Sequence, residues 1–139
     1  MFKKILHGLD GSPGSFKALK TAIDLAKRYE AELQTIYIQE MPHTTSAISE
    51  AVNEDFFAES CYGELAKQAK EMALEEGITL KHTLIVGHEI ITIIELIREQ
   101  VFDLLVIGAM GRSALYGREM GSTCSSLVRL SPCTVLVVK

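Results

Sequence analysis

Two glycines, Gly108 and Gly111, are followed after nine further residues by Gly121-Ser122-Thr123, and residues of these types at this spacing are suited to holding phosphate groups. Glycine lets backbone amides approach a ligand with no Cβ in the way, and a run of such amides makes an anion nest. Upstream lies Asp103-Leu104-Leu105-Val106-Ile107, an apolar run of strand length, and downstream Ser122 to Leu130 reads as a short helix. The glycines therefore fall on a strand-to-helix connection. A helix start leaves unpaired N–H groups and the positive end of the helix dipole, so Gly121, Ser122 and Thr123 could present backbone donors and two hydroxyls to phosphate oxygens. Arg112 and Arg118, in the same loop, could add charge. The plainer alternative is a loop that only turns the chain, with Ser122 as an ordinary N-cap. The spacing within a strand–loop–helix setting favours the phosphate reading.

Other elements must position this loop. Lys3 to Leu9 is an apolar run that ends at Asp10-Gly11-Ser12-Pro13-Gly14, which reads as a first strand and a helix start. Ser12 suits the N-cap with Pro13 at the first helical position, and Phe16, Leu19, Ile23 and Ala26 then share a face of a helix running to about Tyr29. Glu32 to Gln39 is the second strand. The stretch from Gln39 to Asp55 is long for a connection inside a compact domain, and could form a mobile flap or an extra turn of helix. Leu65, Ala69, Met72 and Ala73 keep helical spacing, with Gly77 as the C-terminal stop. Ile78 to Val86 predicts the third strand, and Ile90, Ile93, Ile94, Ile97 and Val101 mark a helical face. The fourth strand ends at Gly108, and Thr134 to Val138 makes a fifth. Strict alternation of apolar strands with helices predicts an α/β fold: a doubly wound parallel sheet with helices on both faces.

Size and composition narrow the function classes. The 139 residues, 47% of them hydrophobic, fit one domain over residues 1–139 that buries roughly two thirds of its unfolded surface. The apolar stretch near the N-terminus is too short for a signal peptide, and no run approaches the ~18 residues of a membrane span, so a cytoplasmic protein with no membrane partner is expected. A net charge of −4 with scattered Lys and Arg gives no basic stripe for nucleic acid. Cys61, Cys124 and Cys133 form no CxxC pair, and their odd number suits reduced thiols.

The chain resembles the universal stress proteins over essentially its whole length. Three features carry the resemblance: Ile5-Leu6-His7-Gly8-Leu9-Asp10-Gly11-Ser12, the Gly-x2-Gly-x9-Gly-Ser pattern at Gly108, Gly111, Gly121 and Ser122, and the closing Pro132-Cys133-Thr134-Val135-Leu136-Val137-Val138. The glycine pattern is similar to that of the family's ATP-binding branch. The resemblance implies sheet order 3-2-1-4-5, so that Asp10 after the first strand and Gly108 after the fourth flank one crevice at the switch point where open α/β sheets bind ligands. It further implies that Gly8, Leu9 and Asp10 lie near ribose or phosphates and that Ile38 offers backbone groups to adenine. Gly108, Met110, Gly111 and Arg112, with Gly121, Ser122 and Thr123, would then hold ribose and phosphates. Asp10 could instead be a turn residue, and the soft Met110 side chain could pack on a ligand or fill a gap. The implied ligand is ATP, with AMP or ADP as alternatives and Mg²⁺ arriving through the phosphates. The family also pairs its last strand with a second copy, which implies a homodimer acting on an unknown protein partner.

No P-loop and no dinucleotide fingerprint occurs. His7, His43, His82 and His88 have no metal-ligand spacing, so surface or packed histidines and no metal centre are expected. Cys124, near a helix start, could be a low-pKa redox sensor or a small packed residue. No nucleophile–base pair emerges, which points to a nucleotide-sensing module of stress response with no catalytic residue. The alternatives are a slow ATP-hydrolysing or adenylyl-transferring enzyme on the same fold, and a nucleotide-independent dimeric interaction protein.

Overall fold

Strand β1 (Lys4–Gly8) lies at the centre of the sheet, fully buried at Ile5, Leu6 and His7. In the computed structural model, residues 1–40, 50–51, 61–110 and 121–139 are described. The chain continues through α1 (Pro13–Tyr29), β2 (Glu32–Gln39), β3 (Glu50–Ala51), α2 (Gly63–Glu75), β4 (Leu80–Val86), α3 (Glu89–Gln100), β5 (Leu104–Gly108), α4 (Ser122–Leu130) and β6 (Thr134–Val138). The sheet order is β3-β4-β2-β1-β5-β6. Its five long strands are parallel and follow the expected order 3-2-1-4-5.

One strand is additional. Glu50 and Ala51 pair antiparallel with Val86 and Ile85, covering part of the outer edge of β4. Neither a flap nor a helical turn anticipated it, because two residues are too few to show a period. The rest of the stretch after Glu40 lies outside the described residues.

Local chemistry explains the boundaries. Ser12 caps α1 as expected: its side chain accepts from the Ser15 N–H, Pro13 follows at the first helical position, and the cap supplies what an exposed helix start lacks. The α3 face is the expected one except at its C-terminal end, with Ile90 and Ile94 packed against the core. Thr92, Ile93, Leu96 and Ile97 are buried, whereas Val101 is 76% exposed and ends the helix in the left-handed region at φ 55°.

Successive strand residues point to opposite faces, so each face acquires its own core. Ile5, Leu33, Leu84, Leu104 and Val106 pack with α1 and with Ala66, Ala69 and Ala73 of α2. Leu6, Ile36, Ile85, Leu105 and Ile107 pack on the other face with Ile93, Leu96 and Ile97 of α3 and Cys124 and Leu127 of α4. Because β1 sits between β2 and β5, the chain leaves it one way through α1 and returns on the other side as β5. A crevice opens above the C-terminal ends of these two strands.

Candidate functional site

At that crevice lies a cavity of about 330 Å³, within the range of small-molecule sites. The end of β1 contributes Gly8, Leu9 and Asp10, and β2 contributes Ile36 and Ile38. The end of β5 supplies Ile107, Gly108 and Met110, and the start of α4 supplies Gly121, Ser122 and Thr123. Residues far apart in sequence but expected to act together are thus brought to one wall. Gly111 and Arg112, together with Arg118, lie outside the described residues.

The backbone near the glycines is already organised. The Gly121 N–H donates to the Ala109 carbonyl at 2.9 Å, and the Ala109 N–H to the Val138 carbonyl at 2.9 Å, which ties Ala109 and Gly121 to the end of β6. The donor of Gly121, expected to face a phosphate, is therefore used within the protein. Gly121 is instead the N-cap of α4, a position at which no side chain caps the helix. The amides of Ser122 and Thr123 follow it, in the first turn where an α-helix has no acceptor one turn back. Ser122 and Thr123 line the cavity at this end.

Gly108 has a reason that is independent of ligand. A Cβ there would lie 2.9 Å from the carbonyl carbon and oxygen of Gly14 and 3.2 Å from the Ser15 nitrogen. Likewise a Cβ on Gly14 would meet the Met110 carbonyl at 3.0 Å. The start of α1 and the end of β5 are interlocked at backbone distance.

Asp10 takes the turn role and stands at the cavity. One carboxylate oxygen accepts from the Ser12 N–H at 2.9 Å, closing the turn into α1, while the residue also lines the cavity. A carboxylate has enough lone pairs for the turn and for a ligand. Beneath it, His7 is fully buried on β1. Its Nε2 donates to the Ser15 carbonyl at 2.9 Å, and its Nδ1 accepts from the Thr35 hydroxyl at 3.3 Å. Burial pushes its pKa down to about 4, against the smaller opposing pull of the Ser15 carbonyl and the Asp10 charge. The ring is a neutral strut joining the first strand to the first helix, not a ligand.

Cys124 is buried on α4, and burial pushes its thiol pKa up, so the redox-sensor alternative gives way to the packed residue. No disulfide joins Cys61, Cys124 and Cys133 to one another. Among the described residues, no group of His, Cys, Asp and Glu is placed to hold a metal, and no helix is long and apolar enough to cross a membrane.

The lining residues that the sequence did not assign to the site include Glu40, Tyr62 and Glu89. Tyr62 donates to the Ile38 carbonyl at 3.1 Å, so that carbonyl, expected at the adenine, already has one partner. Glu40 directly follows β2, and its carboxylate accepts from the Glu89 N–H at 3.4 Å, capping α3 from outside the helix. Glu89 opens α3, and its side chain is hydrogen-bonded to Thr123. The available signal was position: each polar residue directly beyond the C-terminal end of a parallel strand stands at the ligand-binding rim.

The universal stress protein family model matches residues 1–139. This chain belongs to the universal stress protein family. It is 33% identical to the universal stress protein YxiE of Bacillus subtilis, the alignment covering 100% of both chains. Among solved structures, it resembles the universal stress protein UspA from Lactobacillus plantarum with a TM-score of 0.82, at 25% identity over 99% of this chain and 98% of that one. It also resembles a universal stress protein in complex with cAMP, with a TM-score of 0.76 and 26% identity, covering 99% of this chain and 97% of the other. Both solved structures thus share the fold seen here, and the second of them is a complex with cAMP.

Proposed function

We propose that this universal stress protein binds an adenine nucleotide, ATP foremost and AMP or ADP otherwise, as a homodimeric sensing module of the cytoplasmic stress response. The carrying observation is that Asp10, Ile38, Gly108 and the Gly121-Ser122-Thr123 helix start line one cavity. Phosphates fit the α4 start, where amide donors and the helix dipole converge. The adenine fits the apolar side formed by Ile36, Ile38 and Ile93. Gly111 and Arg112 complete the phosphate end by their place in the motif, and Mg²⁺, a hard cation, suits the carboxylate oxygens nearby and would arrive on the phosphates. The cAMP-bound relative supports the ligand class.

This reading assigns the lining residues to binding and gives none of them a catalytic role. Saturation at ~100 times the dissociation constant should stabilise the fold by ~2.7 kcal/mol. Thermal melts with millimolar AMP, ADP and Mg-ATP, together with mass spectrometry of protein purified without added nucleotide, test this. A melt unmoved by all three ligands, with nothing bound on purification, would rule it out.

The dimer reading rests on β6, which among the described strands pairs with β5 alone and has no described partner on its other edge, beside Val135, Leu136 and Val137. Such an edge is rarely left bare. Equilibrium sedimentation should give a dimer mass at micromolar concentration, and a pure monomer there would count against it.

A further inference from the structure

Glu89 stands where a helix start ordinarily welcomes an acid, since a carboxylate in the first turn offsets the dipole of its own helix. A solvent-facing side chain would serve that purpose. Instead the Glu89 carboxylate is half-buried, turns into the cavity, and accepts a hydrogen bond from Thr123 in the first turn of α4. It thus reaches the same helix start that offers amides to phosphate.

Its neighbours sharpen the conflict. Burial, then the charges of Glu40 from β2 and Asp10 from β1, raise its pKa, while the Thr123 hydroxyl and His88 favour the charged form. Among the described residues lining the cavity, Asp10, Glu40 and Glu89 carry charge and none is basic. Glu40 is itself tied to the α3 start by the Glu89 N–H. Each added phosphate charge brought to α4 therefore meets a fixed carboxylate, in surroundings where charges are less screened than in water.

Resting on the nucleotide reading above, we propose that Glu89 is a specificity-determining residue that sorts nucleotides by phosphate charge. It disfavours a metal-free triphosphate and leaves a monophosphate, or a triphosphate neutralised by a divalent cation, as the accepted ligand. Thr123 holds the carboxylate in place, so the discrimination is built into the contact between α3 and α4.

Calorimetric titration of AMP, of ATP with EDTA and of ATP with excess Mg²⁺ tests it, on the unchanged protein and on Glu89→Gln, which keeps the shape and can still bond Thr123. Glu64→Gln on the exposed face of α2 is the control. The unchanged protein should bind metal-free ATP on the order of tenfold more weakly than Mg-ATP, and Glu89→Gln should shrink that gap severalfold while moving AMP little. A ratio of metal-free ATP to AMP affinity that is the same in both proteins would overturn the proposal. So would an unchanged protein that binds ATP equally well with and without Mg²⁺, a result that needs no variant. Failure of every nucleotide to bind the unchanged protein would instead overturn the underlying nucleotide reading, and this inference with it.

Discussion

Gly108→Ala is expected to lose roughly 1–3 kcal/mol of stability with no nucleotide present, as overpacking against an unyielding neighbour does. The added methyl would sit 2.9 Å from the Gly14 carbonyl carbon and oxygen and 3.2 Å from the Ser15 nitrogen. These are backbone atoms of the capped start of α1, held by Pro13 and by the Ser12 side chain on the Ser15 N–H, so no rotamer change can clear them. Relief requires α1 to move away from β5, which opens the packed interface between them. Gly8→Ala is the matched control. Its Cβ would meet only the Ile107 side chain, at 3.9 Å, an ordinary contact, and the change should stay within about 0.5 kcal/mol. Urea unfolding of the two variants decides the matter, and equal stability would show that the close approach at Gly108 is not what requires glycine. The consequence reaches the site: one glycine of the phosphate motif is demanded by helix packing before any ligand is considered.

Acid should weaken the protein through His7. Folded, its pKa is about 4; unfolded, it returns to 6.5. Between those values the unfolded chain binds a proton that the folded chain refuses, so stability rises with pH across this window. The contribution is fully present above pH 6.5, falls as pH drops from there, and is exhausted below about 4. The full difference amounts to about 3 kcal/mol. His7→Gln removes the titration, so its stability, measured by denaturant unfolding at pH 7 and at pH 4, should fall with acid by markedly less than that of the unchanged protein. Equal acid losses in both would show that other groups carry the effect. Because the ring braces Ser15 and lies under Asp10, the same protonation should loosen the wall of the cavity.

The order of strands and helices was legible because each strand is an apolar run and each helix start carries a recognisable signal, Ser12-Pro13 being the plainest. The Gly108-to-Thr123 pattern was legible as a glycine-bearing strand-to-helix connection, and Gly108, Gly121, Ser122 and Thr123 do meet at one cavity. Other features left no local trace. Residues 50–51 are too short to show a period, Val101 kept an apolar identity while ending a helix in solvent, and His7 looked like any histidine until Thr35 and Ser15 enclosed it.

By itself, then, the sequence determined the elements, their parallel alternation and the glycine-bearing connection after β5, since these follow from propensities and contacts within a few residues. Only the tertiary structure decided which groups face one another. It spent the Gly121 donor on Ala109, explained Gly108 by Gly14, and gathered Glu40, Tyr62 and Glu89 beside Asp10. The physical reason is that charge, desolvation and close packing act through space. Glu89 and Thr123 are strangers along the chain, and sheet order alone makes them partners.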